Sequence, residues 1–141
     1  MPHVRKQVVI RSRRDEIERA ERELLSAIER NGYNKASVFA IRLAFAEAVS
    51  NAMIHGNGAD AGKTITLRYD IDADRVEINI IDQGDGFDPN SVPDPTEPEN
   101  VEIPSGRGLV LMRAYMSEVR HIEPGNHVRM VYRRPDRQPT Q

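Results

Sequence analysis

The stretch Glu47-Ala48-Val49-Ser50-Asn51-Ala52-Met53-Ile54-His55-Gly56 closes a run that begins near Lys35, and its apolar spacing is that of a helix. At about 100° per residue, Glu47, Asn51 and His55 fall on one narrow polar stripe, while Val38, Ile41, Phe45, Ala48, Val49, Ala52 and Met53 fill the opposite arc. The expectation is a mostly buried helix with a single wet stripe. An unpartnered carboxylate or amide in an apolar interior costs about several kcal/mol, so the stripe should face a cavity or a ligand, and a cleft is expected there. Taken alone, the same spacing also fits the solvated face of an ordinary amphipathic helix. The flanking elements have to decide.

Upstream, Lys6 to Arg11 reads as a short strand of β-branched residues bounded by polar ones, and Ser12 to Arg14 turns the chain. From Asp15 to Arg30, Ile17, Ala20, Leu24, Ala27 and Ile28 recur at helical spacing, with a run of acids and arginines as the solvent face. Asn31-Gly32 stops this helix, and Asn34 is placed to cap the next, which is expected to run to His55 and end at Gly56-Asn57-Gly58.

Downstream, Thr64 to Ile71 and Arg75 to Ile81 each alternate as strands around an Asp72-Ala73-Asp74 turn. This hairpin ends on Asp82-Gln83-Gly84-Asp85-Gly86-Phe87. Asp88 to Pro104 holds five prolines and five acids, which reads as a lid or binding loop or as a merely disordered acidic segment. Ser105-Gly106-Arg107-Gly108 then opens a helix from Leu109 to Met116, and Glu118 to Ile122 and His127 to Arg133 form a last hairpin around Pro124-Gly125-Asn126. The expected fold class is α/β: a two-layer sandwich with helices on one face of a four- or five-stranded, mostly antiparallel sheet. One domain over residues 1–141 is expected, with a lid at about 84–105 and a polar tail at about 135–141.

A chain of 141 residues with 38% hydrophobic content is long enough for a proper core. The absence of cysteine excludes disulfides, thiolate metal sites and a cysteine nucleophile. A net charge of -2 and a pI near 6.1, with arginines scattered among acids, give no basic footprint for nucleic acid. No leader or apolar stretch of membrane-spanning length is read from the sequence, so the expectations are a cytoplasmic chain and no membrane partner. Neither a Gly-x-x-x-x-Gly-Lys-[Ser/Thr] loop nor a His-Arg-Asp catalytic loop is present, which excludes P-loop and ordinary protein kinases.

Three motifs remain: the helix stripe, Asp82-x-Gly84-x-Gly86, and Gly106-Arg107-Gly108. Each alone has a plainer reading, as a solvated face, a turn former or a tight connection. In this order and spacing they resemble the ATP-binding domain shared by DNA gyrase, heat-shock chaperones, histidine kinases and mismatch-repair proteins, over about Lys35 to Met116. Within that superfamily the chain is most similar to the small anti-sigma factor serine/threonine kinases of bacterial partner-switching systems. Glu-Ala-Val-Ser-Asn-Ala-x-x-His-Gly at 47–56 looks like their first motif, Asp82 to Phe87 their adenine-binding motif, and Gly106-Arg107-Gly108-Leu109 with Leu111-Met112 their phosphate-binding helix start.

The resemblance implies a Bergerat-type ATP-binding fold with a lid, ATP and Mg2+ as cofactors, and transfer of phosphate to a small anti-sigma factor antagonist. It implies a sigma factor or similar regulator as a second partner, and a homodimer. It makes Glu47 the general base, Asn51 the magnesium ligand through its amide oxygen, and Asp82 the acceptor for the adenine amine. Gly84 and Gly86 would allow close approach of backbone to base, while Gly106, Arg107, Gly108 and Leu109 would form the phosphate-binding helix start. His55 is expected to be packed and hydrogen-bonded at the helix end rather than catalytic. Two other readings stay open: an ATP-responsive binding module without transfer activity, and a detached histidine kinase catalytic domain.

Overall fold

The computed structural model describes residues 3–58, 60–84, 114–122 and 126–135. Strand β1 (Val4–Arg11) leads into helix α1 (Arg14–Arg30) and helix α2 (Lys35–Asn51), which continues as a single π-turn over Ala52–Gly56. Four strands follow: β2 (Thr64–Ile71), β3 (Arg75–Ile81), β4 (Glu118–Ile122) and β5 (His127–Arg133). They pair in the order β1-β2-β3-β5-β4, every pair antiparallel. The expected two-layer α/β sandwich is therefore present, with five strands among the described residues.

The register explains why one sheet face is dry. Val8 opposes Leu67, Leu67 opposes Ile80 and Ile80 opposes Val128, so inward residues of four strands form one apolar row. Leu24 and Ile28 of α1 and Ile41, Phe45 and Val49 of α2 share that core. The opposite face is polar. There Glu77 accepts hydrogen bonds from Arg75 and Arg129, and Glu118 accepts from Arg129 and Arg133.

Local signals set the helix ends. Gly32 takes φ +82°, and its N–H closes onto the Glu29 carbonyl at 2.9 Å, ending α1 with a left-handed residue. The Asn34 side chain accepts from the Ser37 N–H at 2.8 Å, the expected N-cap of α2. Ser37, buried, shares a 2.7 Å hydrogen bond with the Tyr132 hydroxyl and ties the start of α2 to β5. In the β2–β3 turn, Asp72 Oδ1 accepts from the N–H groups of Asp74 and Arg75 at 2.8 and 2.9 Å.

Two expectations are corrected here. Lys35–Gly56 forms 22 residues of continuous helix, long and apolar enough to cross a membrane by length and composition, where no such stretch was expected. Its apolar content packs on the sheet instead, and some of it stays outside, with Phe39 56% and Ile54 45% exposed. The second concerns His55, which is exposed rather than packed. The π-turn is wider than an α-turn, so a residue four positions after Asn51 no longer falls beneath it.

Most of the expected lid, the Gly106-Arg107-Gly108 turn and the first part of the Leu109 to Met116 helix lie outside the described residues. Of that helix, Ala114 and Tyr115 are helical and Met116 is buried in the core.

Candidate functional site

The C-terminal end of α2, the end of β3 and the start of β5 meet around a small cleft of about 30 Å³. Asn51, Gly56, Asp82, His121, Asn126 and His127 supply its polar and backbone lining, over a floor that includes Ala48, Ile80 and Val128. The structure thus brings together Asn51 and Asp82, which are 31 positions apart in sequence. Glu47 lies one turn earlier on α2, half-buried and outside the lining of this cleft. Gly86, Gly106, Arg107, Gly108 and Leu109 lie outside the described residues.

Asp82 is fixed from both sides. Its N–H donates to the Asn126 carbonyl at 2.9 Å, and the Asn126 side-chain Nδ2 donates to the Asp82 carbonyl at 3.0 Å. On its own side chain, Oδ1 accepts from the Gly84 N–H at 2.7 Å. Burial pushes the Asp82 carboxyl above its usual range, against the opposing pull of the Gly84 N–H and the Lys63 charge.

The glycines earn their places by contact. A Cβ on Gly56 would sit closer than 3.0 Å to the Asp82 carboxylate, and one on Gly84 would sit that close to the Gly56 carbonyl. Gly56, Asp82 and Gly84 are therefore packed backbone against carboxylate against backbone. What Gly84 accommodates in the described structure is the Gly56 peptide, a partner that the spacing of the motif does not reveal.

Sequence reasoning missed three lining residues, His121, Asn126 and His127. His127 approaches Asn79 Oδ1 at 2.8 Å, and burial, followed by the charge of Arg68, pulls its imidazole below the usual range. A Gly-Asn-His turn carries no distinguishing pattern in the sequence; only the β5 pairing brings it to Asp82.

Asn51 lines the cleft with an amide group, whose oxygen is of the hard type that suits a hard cation completed by water and phosphate oxygens. Among the described residues, the one cluster of three imidazole or carboxylate groups close enough to share a metal is His3, Asp70 and Asp72. It lies at the opposite end of β2, where Asp70 already pairs with His3 and Arg5.

A strand-end carboxylate, a helix-end amide and close-packed glycines around one cleft define a class. Residues 10–132 match the histidine kinase-like ATPase domain, and the chain belongs to that family. Within it, the chain is 35% identical over 106 residues to the serine-protein kinase RsbW of Bacillus licheniformis, covering 70% of this chain and 66% of that protein. It is 29% identical over 103 residues to the serine-protein kinase RsbW of Bacillus subtilis (69% and 64%). It is also 29% identical over 115 residues to the anti-sigma F factor of Clostridium perfringens (69% and 81%). The match thus spans just under two thirds of the length of these RsbW relatives. The crystal structure of the RsbU and RsbW domains of a Mycobacterium tuberculosis protein superposes with a TM-score of 0.63 at 18% identity, covering 94% of this chain and 31% of that one, and bears out the fold. The resemblance to anti-sigma factor kinases drawn from the motifs is likewise borne out.

Proposed function

We propose that the chain is an ATP-dependent protein serine/threonine kinase that serves as an anti-sigma factor or similar partner switch. Its substrate is a small anti-sigma factor antagonist, and its second partner is a sigma factor or related regulator. The observation that carries this reading is the meeting of Asn51 and Asp82 at one cleft, in a chain similar to proteins named serine-protein kinase and anti-sigma F factor.

In this reading Asp82 accepts a hydrogen bond from the adenine amine, and the burial that raises its carboxyl pKa is the partial shielding from water that a base-binding acceptor has. Asn51 would hold Mg2+ through its amide oxygen, and the ion would supply charge neutralisation at the phosphates. Gly84 and Gly86 admit the base, and Gly106, Arg107, Gly108 and Leu109 receive the phosphates, as the start of the helix that the sequence leads one to expect there. Glu47 takes the proton from the substrate hydroxyl as its oxygen bonds to the γ-phosphorus and ADP departs. Alignment and charge neutralisation account for most of the acceleration. The protein acts as a homodimer in the cytoplasm, and the phosphate added to the antagonist brings close to two negative charges into the interface and releases it.

The second reading is an ATP-responsive binding module without transfer activity, favoured by Glu47 standing outside the lining of the cleft. Intact-mass analysis of antagonist proteins incubated with the chain and magnesium ATP, beside a Glu47→Ala control, tests the choice. The kinase reading expects one added phosphate with the native chain and none with the variant, both binding nucleotide. Intact ATP binding with no phosphate on any antagonist overturns it in favour of the module.

A further inference from the structure

Asn57, Thr64 and Gln83 close a ring of three hydrogen bonds beside the cleft. The Asn57 Nδ2 donates to the Thr64 carbonyl at 3.0 Å, the Thr64 N–H donates to Gln83 Oε1 at 2.7 Å, and the Gln83 N–H donates to Asn57 Oδ1 at 2.7 Å. Both ends of the Asn57 amide are thus used, and its residue is 1% exposed. Its backbone contributes a fourth bond: the Asn57 N–H donates to the Ala52 carbonyl at 2.8 Å and closes the π-turn. One side chain therefore joins the end of the α2 helix, the first residue of β2 and the segment after β3.

The ring members flank the site without being in it. Asn57 follows Gly56, and Gln83 stands between Asp82 and Gly84, the three residues packed against one another. Asn126 holds the Asp82 peptide from the β5 side. From the α2 side, the ring is what sets the distance between the Gly56 wall and the Gln83 peptide. Without it the π-turn and the Asp82 loop would each be free to shift, and displacements of about 1 Å are enough to spoil a polar contact to a ligand.

We propose that Asn57, through the Thr64–Gln83 ring, is the positioning residue that holds Asp82 in the geometry that selects adenine. This rests on the reading of Asp82 as the acceptor for the exocyclic amine. A carboxylate held in place accepts from an amine and repels a carbonyl oxygen at the same position, whereas a loosened carboxylate swings away from the carbonyl and discriminates less. The ring thus controls nucleobase selectivity as well as affinity.

Equilibrium binding of magnesium ATP and magnesium inosine triphosphate, which carries a carbonyl where adenine carries the amine, tests this on the full chain and on Asn57→Ala, Gln83→Ala and Gln83→Glu. The wild-type chain should prefer ATP. Asn57→Ala, which removes two part-buried bonds of the ring, should lose roughly tenfold in ATP affinity, and Gln83→Ala, which removes one exposed bond, about threefold, each along with most of that preference. Gln83→Glu, which keeps an acceptor oxygen for the Thr64 N–H, should retain the preference. Partial unfolding lowers the competent fraction equally for both nucleotides and leaves the ratio unmoved, so the ratio separates positioning from mere stability. Gln83 is exposed, so its variants give an answer even where Asn57→Ala fails to fold. A folded Gln83→Ala chain with the wild-type ratio overturns the proposal. A wild-type chain that binds both nucleotides alike overturns the reading of Asp82 itself, and this inference with it.

Discussion

The Asp82 carboxylate lies directly against the Cα of Gly56, so close that a single methyl group at position 56 would overlap it. Asp82 is short and is held by the Gly84 N–H and by Asn126, so it has little room to yield. Gly56→Ala should therefore weaken ATP binding by roughly tenfold or more and destabilise the fold by about 1–3 kcal/mol, as overpacking does. Calorimetric titration with ATP, beside a urea denaturation curve, measures both. Unchanged affinity in a folded variant would remove Asp82 from the base-binding role.

The raised carboxyl of Asp82 gives that role a pH signature. Acceptance of the amine is strongest from the ionised form, so affinity for adenosine, a probe without titrating phosphates, should fall on acidification at a higher pH than an exposed aspartate would give. The sign for stability is opposite. A folded-state pKa above the unfolded one means that the fold gains stability as pH drops through the folded value, a gain complete below the unfolded value. Asp82→Asn should flatten both profiles, and an adenosine profile that keeps its acid limb in the variant would assign the limb to another group.

The strands and α1 were legible because their spacing is decided by local burial. Thr64 to Ile71 and Arg75 to Ile81 alternate strictly, and the structure gives those same bounds. Asn34 announced its cap by residue type alone. The π-turn was not legible, since Ala52 to Gly56 continues an apolar pattern that an α-helix also satisfies. Asn126 and His127 were missed because their contact with Asp82 depends on strand pairing across the sheet. Helical spacing alone turned Asn51 toward a cleft, whereas its association with Asp82, with which it lines one cleft, came from the motif resemblance.

Glu77 on the open sheet face offers a test that leaves the cleft alone. Burial would raise its carboxyl, but the Arg129 hydrogen bond and the charges of Arg129 and Arg75 hold it below the usual glutamate range. Its contribution is therefore fully present above the unfolded pKa of about 4.3 and is lost as pH falls through the folded value. Glu77→Gln should cost about 1–2 kcal/mol at neutral pH and flatten the acid side of the stability profile, with ATP affinity unchanged. Denaturant midpoints across pH give the result, and an equal loss at all pH values would refute the ionic account.

The buried hydroxyl pair of Ser37 and Tyr132 should behave as a coupled unit. Ser37→Ala leaves the Tyr132 hydroxyl without that partner and should cost about 1–2 kcal/mol, whereas Ser37→Ala with Tyr132→Phe should cost less than the sum of the two single changes. Additive losses in the double-mutant cycle would show that the pair is not coupled.

The π-turn over Ala52–Gly56 also governs which changes in chain length this fold can accept. Removing one residue there would restore an ordinary α-turn and carry the glycine position about 100° around the helix axis, away from the Asp82 carboxylate. Exchange of the exposed Ile54 or His55 within the turn leaves that geometry intact, but a single-codon deletion does not. The β2–β3 turn, by contrast, lies at the far end of the sheet, where an added residue leaves the cleft untouched. Descendants of this sequence should therefore vary in length at Asp72 to Asp74 and keep strict register from Asn51 to Asn57.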